Sequence, residues 1–143
     1  NPRRSGINNW EVMKKVLDKD YGVTEKLKKI AQIAREMDKA LTLGHMKKVT
    51  ALFAREWEAR KSLAPTISTP QINKLIAGGM KKGAQSAKVC GAGGGGCIAF
   101  MVPLKQRQSV VSELVRLNGS VIPFCFVQRG LRVQVPSPTT ITC

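Results

Sequence analysis

Six residues, Gly91-Ala92-Gly93-Gly94-Gly95-Gly96, lie between two short apolar runs, Ala87-Lys88-Val89-Cys90 and Cys97-Ile98-Ala99-Phe100-Met101-Val102. Glycine inside regular structure costs about 0.5–1 kcal/mol relative to alanine. Five glycines in six positions are therefore tolerable only where bare backbone is required. Without Cβ atoms the segment reaches positive φ and can gather its N–H groups into a concave nest suited to phosphate or another anion. A flexible linker is the plainer reading, but linkers are flanked by polar residues, and this loop is flanked by two apolar strands.

The spacing sorts the known glycine-loop chemistries. Gly91 to Gly96 fits the first half of G-x-x-x-x-G-K-[ST], but Cys97 and Ile98 stand where that loop needs its Lys and Ser/Thr. Nothing there can reach a terminal phosphate or Mg²⁺. The run also satisfies G-x-G-x-x-G, yet a dinucleotide fold requires a helix immediately afterwards. Here an apolar run leads to Pro103 and reads as a buried strand. Strand, glycine loop, strand remains.

The rest of the chain reads as helices first and strands later. Asn8 or Asn9 is expected to cap a helix running to Asp18 with Val12, Met13, Val16 and Leu17 on its apolar side. Leu27, Ile30, Ala34, Met37 and Leu41 recur at steps of three and four, a helical stripe that Gly44 stops. Met46, Val49, Phe53 and Trp57 repeat the pattern. After an irregular Pro- and hydroxyl-rich stretch from Leu63 to Pro70, Thr69 can be an N-cap and Pro70 the first helical residue. Ile72, Leu75, Ile76 and Met80 then face the core until Gly83. Beyond the glycine loop, Val110, Val111, Leu114 and Leu117 predict a helix ended by Asn118-Gly119. Ile122, Phe124 and Phe126, then Leu131, Val133 and Val135, alternate as strands around a turn at Arg129-Gly130, Pro123 marking an edge or a strand start. Residues 136–143 are expected to form a mobile tail. This order predicts an α+β class with an antiparallel sheet and helices packed on one face.

The 143 residues suit one domain with a real core, and a mean hydropathy of −0.13 is ordinary for a soluble chain. No apolar run approaches a membrane span and no signal segment opens the chain. A cytoplasmic location is expected. Four cysteines without a C-x-x-C pair, and one histidine, His45, suggest neither zinc nor a disulfide scaffold. Cys90 and Cys97 read as small apolar residues packing the strands. The net charge of +15 raises nucleic acid as a partner. The distribution of Lys14, Lys15, Lys26, Lys28, Lys29, Lys47, Lys48, Lys81 and Lys82 over several helices reads instead as solvated faces. The seven aromatic residues offer no stacking platform for a single strand. A basic polyanion-binding module stays open as a second function class, with steep salt dependence of DNA binding as its mark.

In Ala87-Lys88-Val89-Cys90-Gly91-Ala92-Gly93-Gly94-Gly95-Gly96-Cys97 the chain resembles the third signature motif of the GHMP kinase superfamily, which includes galactokinases, homoserine kinases and mevalonate kinases. The likeness extends through Trp57-Glu58-Ala59-Arg60-Lys61-Ser62-Leu63, Ile67-Ser68-Thr69-Pro70-Gln71-Ile72-Asn73, Pro123-Phe124 and Phe126. With Ser5-Gly6-Ile7-Asn8-Asn9-Trp10 it looks most like the bacterial D-glycero-D-manno-heptose 7-phosphate kinase branch. The resemblance runs to about Val135, so 1–135 is expected as one GHMP kinase C-terminal domain. It implies a ferredoxin-like architecture whose first strand would precede Asn1.

The resemblance also implies ATP, Mg²⁺ and a phosphorylated sugar as ligands. Gly91, Ala92, Gly93, Gly94, Gly95 and Gly96 would support the nucleotide phosphates, and Arg60, Lys61 and Ser68 would face the sugar. The alternative for those three is surface charge and helix capping. The family's P-x-x-x-G-L-G-S-S phosphate loop, Mg²⁺ ligand and catalytic carboxylate have no counterpart in these 143 residues. We therefore expect no catalytic residue here, an N-terminal kinase domain as partner, and an isolated chain without activity. Galactokinase, fucokinase and mevalonate kinase types remain alternative substrates classes of the same family, and a homodimer remains open.

Overall fold

The structure, a computed structural model, describes residues 5–131. Five helices and one hairpin follow in order: α1 Ser5–Leu17, α2 Tyr21–Thr42, α3 Met46–Lys61, α4 Pro70–Lys81, β1 Ser86–Val89, β2 Ile98–Met101 and α5 Arg107–Arg116. Short 3-10 turns at Pro65–Ile67 and Leu104–Gln106 lead into α4 and α5. The class is α+β, as the element order predicts.

Local chemistry sets the helix ends. Asp20 caps α2 by accepting from the Val23 amide at 3.1 Å, and Gly44 turns the chain away at φ +68. Thr69 caps α4 by accepting from the Ile72 amide at 3.2 Å, with Pro70 in the first turn, where its missing N–H is harmless. Gly83, at φ +102, ends that helix. Thr69→Ala should cost about 1 kcal/mol, read as a lowered urea midpoint at unchanged slope.

β1 and β2 pair antiparallel, with Ser86 opposite Met101 and Val89 opposite Ile98. Both α3 and α4 lie against β1. Val23, Trp57, Leu63, Ala64, Ile67, Ile72 and Val89 form one core cluster, which joins α2, α3 and the α4 approach to the sheet. A second, around Ile33, Ala40, Val49, Leu52 and Ala59, fastens α2 to α3.

Several expectations need correction. Asn8 and Asn9 do not cap α1; they lie inside it, and Asn8 is buried. Of its expected apolar side, Val12 is half-buried while Met13, Val16 and Leu17 are exposed. In α2 the core side is Val23, Ile33 and Ala40, and Ala34 and Leu41 face solvent. Met46 and Met80 are also exposed. β2 is half-buried rather than buried.

The alternating run at Ile122, Phe124 and Phe126 forms no strand: residues 120–127 carry no regular structure and are exposed. Pro123 offers no N–H to a ladder, and Phe124 and Phe126 pack edge-on against each other instead, with centroids 5.6 Å apart. Among the described residues the sheet therefore has two strands. Leu131 is exposed without regular structure, while Val133, Val135 and the expected tail at 136–143 lie outside the described residues. Among the described residues no helix is long and apolar enough to cross a membrane.

Candidate functional site

The glycine loop closes the β1–β2 hairpin. The ladder continues one step past the strands, where the Cys90 amide donates to the Cys97 carbonyl at 2.8 Å. Gly91, Gly93, Gly94, Gly95 and Gly96 all have positive φ, from +76 to +156, a region that L side chains enter only with strain. The composition of the loop is thus a requirement of its backbone.

The glycines divide into two roles. Gly93 is buried against the Pro65–Ile67 turn: a Cβ there would stand 2.6 Å from both Ile67 Cγ2 and the Ile67 carbonyl oxygen. The next amide, Gly94, donates to that same oxygen at 2.8 Å. These two residues seat the loop. At Gly91 and Gly95 a Cβ would meet nothing within 4 Å. Among the described residues the amides of Gly91, Ala92, Gly93, Gly95 and Gly96 have no protein acceptor. The expectation that the segment gathers its N–H groups toward an anion is corrected at Gly94, whose N–H is taken.

Asn8 fixes the other side of the loop. Its side chain, 1% exposed, donates from Nδ2 to the Ala92 carbonyl at 3.3 Å and to the Thr66 carbonyl at 3.5 Å, long and weak bonds. Its Oδ1 is buried without a partner. Beneath α1 opens a cavity of about 550 Å³, mostly apolar, whose lining includes Asn8, Asn9, Arg60 and Ala92. A second cavity, of about 520 Å³, is lined by Asn9, Arg60, Lys88, Val89, Cys90, Gly91 and Ala92.

Between these cavities and the core stands a charge cluster. Glu56 is a buried carboxylate on α3. Its Oε1 accepts from Arg60 Nε at 2.6 Å, one turn on, and its Oε2 lies 2.6 Å from the Lys88 ammonium of β1 as an ion pair. Lys88 also stands 5.6 Å from the centroid of the Phe53 ring, also on α3, within cation–π range. A buried carboxylate with paired cations is costly to break, because either partner is then left with an uncompensated charge.

Of the residues singled out by sequence, the structure brings Arg60, Gly91 and Ala92 together around the second cavity. Lys61 is elsewhere, exposed and paired with Glu58 at 2.7 Å. Ser68 donates its hydroxyl to Asn73 Oδ1 at 2.6 Å beside the α4 cap. Neither lines the two cavities. Sequence reasoning missed Asn8, Glu56 and Lys88 as neighbours of the loop. The available signal was a lysine inside an otherwise apolar strand, and a glutamate next to a core tryptophan. Among the described residues no group of three His, Cys, Asp or Glu side chains could hold a metal ion, so no step is assigned to Mg²⁺ on this chain.

A family model described as GHMP kinases C terminal matches residues 30–120. The chain belongs to that family. The GHMP match spans α3, the glycine loop and α5, and so contains Glu56, Arg60 and Lys88. Among relatives, the D-glycero-alpha-D-manno-heptose 7-phosphate kinase of Campylobacter jejuni is 25% identical over 108 residues, 76% of this chain and 32% of its own length. The mevalonate kinase of Pyrococcus furiosus is 35% identical over 69 residues, 48% of this chain and 20% of its own. The GHMP domain thus spans a third or less of these relatives. The crystal structure of L. major mevalonate kinase in complex with R-mevalonate superposes with a TM-score of 0.71 at 18% identity, covering 81% of this chain and 35% of that one. That likeness confirms the fold.

Proposed function

We propose that this GHMP domain is the C-terminal part of an ATP-dependent kinase that phosphorylates an alcohol group of a phosphorylated sugar, a heptose 7-phosphate being the substrate we favour. The observation that carries the proposal is the seated loop: Gly93 and Gly94 fasten it to Ile67, while among the described residues the amides of Gly91, Ala92, Gly95 and Gly96 have no protein acceptor, those of Gly91 and Ala92 beside a cavity. Preorganised amides in such a place stabilise anionic oxygens without reorganising during the reaction. ATP would supply the transferred phosphoryl group.

On this reading the loop from Gly91 to Gly96 supports phosphate, the nucleotide's at its Gly95–Gly96 end and the acceptor's at its Gly91–Ala92 end, and Arg60 reaches substrate. Ser68 and Lys61, both engaged locally, would touch sugar only after rotating away from Asn73 and Glu58. The face of α1 that carries Ile7, Trp10, Met13 and Leu17, each more than half exposed, is the surface we assign to the remainder of the kinase. The relatives' far greater length supports a partner of that size. The heptose reading draws on the larger share of the chain aligned with the C. jejuni enzyme. The higher local identity to mevalonate kinases and the L. major structure favour a second reading, a mevalonate-type acceptor.

The deciding experiment extends the reading frame upstream and measures transfer of labelled γ-phosphate from ATP to heptose 7-phosphate and to mevalonate. Transfer to the heptose by the long protein, and none by the 143 residues alone, is the expected outcome. Preference for mevalonate would install the second reading, and no transfer to any small alcohol would reject both.

A further inference from the structure

The cavity between α3, β1 and the glycine loop holds more cationic donors than its own residues use. Lys88 occupies a strand whose other members, Ser86, Ala87 and Val89, are all buried, and its side chain is only 22% exposed. Arg60 is 31% exposed. Both lean on one carboxylate, Glu56. Two cations against one anion leave a single net positive charge beside the Gly91 and Ala92 amides, which among the described residues have no protein acceptor. An ammonium and a guanidinium together offer more N–H donors than two carboxylate oxygens can accept. Holding such a surplus in a largely buried place is unfavourable unless an anion completes it.

We infer that Lys88 and Arg60, positioned by Glu56, form with the Gly91 and Ala92 amides a subsite for a phosphomonoester dianion. Phosphate suits this donor set better than a carboxylate does. It presents three strong acceptor oxygens, enough for the guanidinium edge, the ammonium and an amide at once. Within the kinase reading proposed above, on which this last assignment rests, the anion is the phosphate that the acceptor keeps, not the one transferred. Glu56 is a positioning residue: it holds both cations at the cavity wall and competes with the ligand for them.

The test uses the full chain and inorganic phosphate as probe, with acetate at equal ionic strength as comparison. Binding is followed by the melting temperature and by site-resolved alkylation of Cys90, which is exposed and lines the cavity. Phosphate should raise the melting temperature and slow Cys90 alkylation, and acetate should do neither to the same extent. Lys88→Met should weaken phosphate binding about tenfold or more, the worth of one charge-assisted hydrogen bond. Lys28→Met, which breaks an exposed pair with Glu25, should leave it unchanged. Glu56→Gln should tighten phosphate binding and make the melting temperature rise more with phosphate than that of the unaltered chain, a sign that a merely structural carboxylate would not give. Equal effects of phosphate and acetate on the unaltered chain, or undiminished affinity in Lys88→Met, would overturn the subsite. Because no turnover is measured, failure here leaves the kinase reading standing, and an inactive long protein leaves the subsite standing.

Discussion

Gly93→Val lowers the unfolding free energy by about 3 kcal/mol, the sum of overpacking and a left-handed backbone forced on a branched residue, and would cut kcat of the proposed longer kinase about a hundredfold. The new Cβ would stand 2.6 Å from the Ile67 carbonyl oxygen and 2.9 Å from its Cα, both backbone atoms that cannot swing aside. The loop must lift, and the bond from the Gly94 amide to that carbonyl is lost with it. Urea denaturation reads the first effect and steady-state assays the second. Gly91→Ala is the control, since its Cβ meets open space and only the φ of +84 resists it, at about 1 kcal/mol. Equal stability of Gly93→Val and Gly91→Ala would show that the loop is not seated on Ile67. Gly94→Val should also destabilise the chain, because Gly94 stands at φ +76 and its amide is committed to Ile67.

Trp57→Ala carries the other large expected effect, about 3–5 kcal/mol of lost stability. Trp57 is 4% exposed and shares a cluster with Leu63, Ile67 and Val89. It therefore fills the space beneath both the turn on which the loop rests and the strand that precedes it. Truncation would leave a cavity there, and hydrogen exchange should speed first in β1 and the Pro65–Ile67 turn. A loss below about 1 kcal/mol, the size of a surface effect, would mean that the cluster does not support the loop.

Features that depend on a few neighbouring residues are legible in the sequence. The glycine loop between two strands, Thr69 and Pro70 at the start of α4, and the stops at Gly44 and Gly83 all follow from local backbone preferences. The phase of the helices was less legible. Ala34 and Ile33 are both apolar neighbours on α2, and only the position of α3 decides that Ile33 goes inside. Likewise an alternating run such as Ile122, Phe124 and Phe126 becomes a strand only if an edge accepts it, and among the described residues none does.

The sequence by itself thus determined that a bare-backbone turn joins two strands after a set of amphipathic helices, because glycine and proline act on their own φ angles. Only the tertiary structure decided what surrounds that turn. Asn8, Glu56 and Lys88 are far apart along the chain, and by local sequence Asn8 reads as a cap and Lys88 as a strand residue. Packing α1 over the loop and α3 against β1 buries all or most of each side chain. Burial obliges polar groups to find one another, and that obligation has no trace in local sequence.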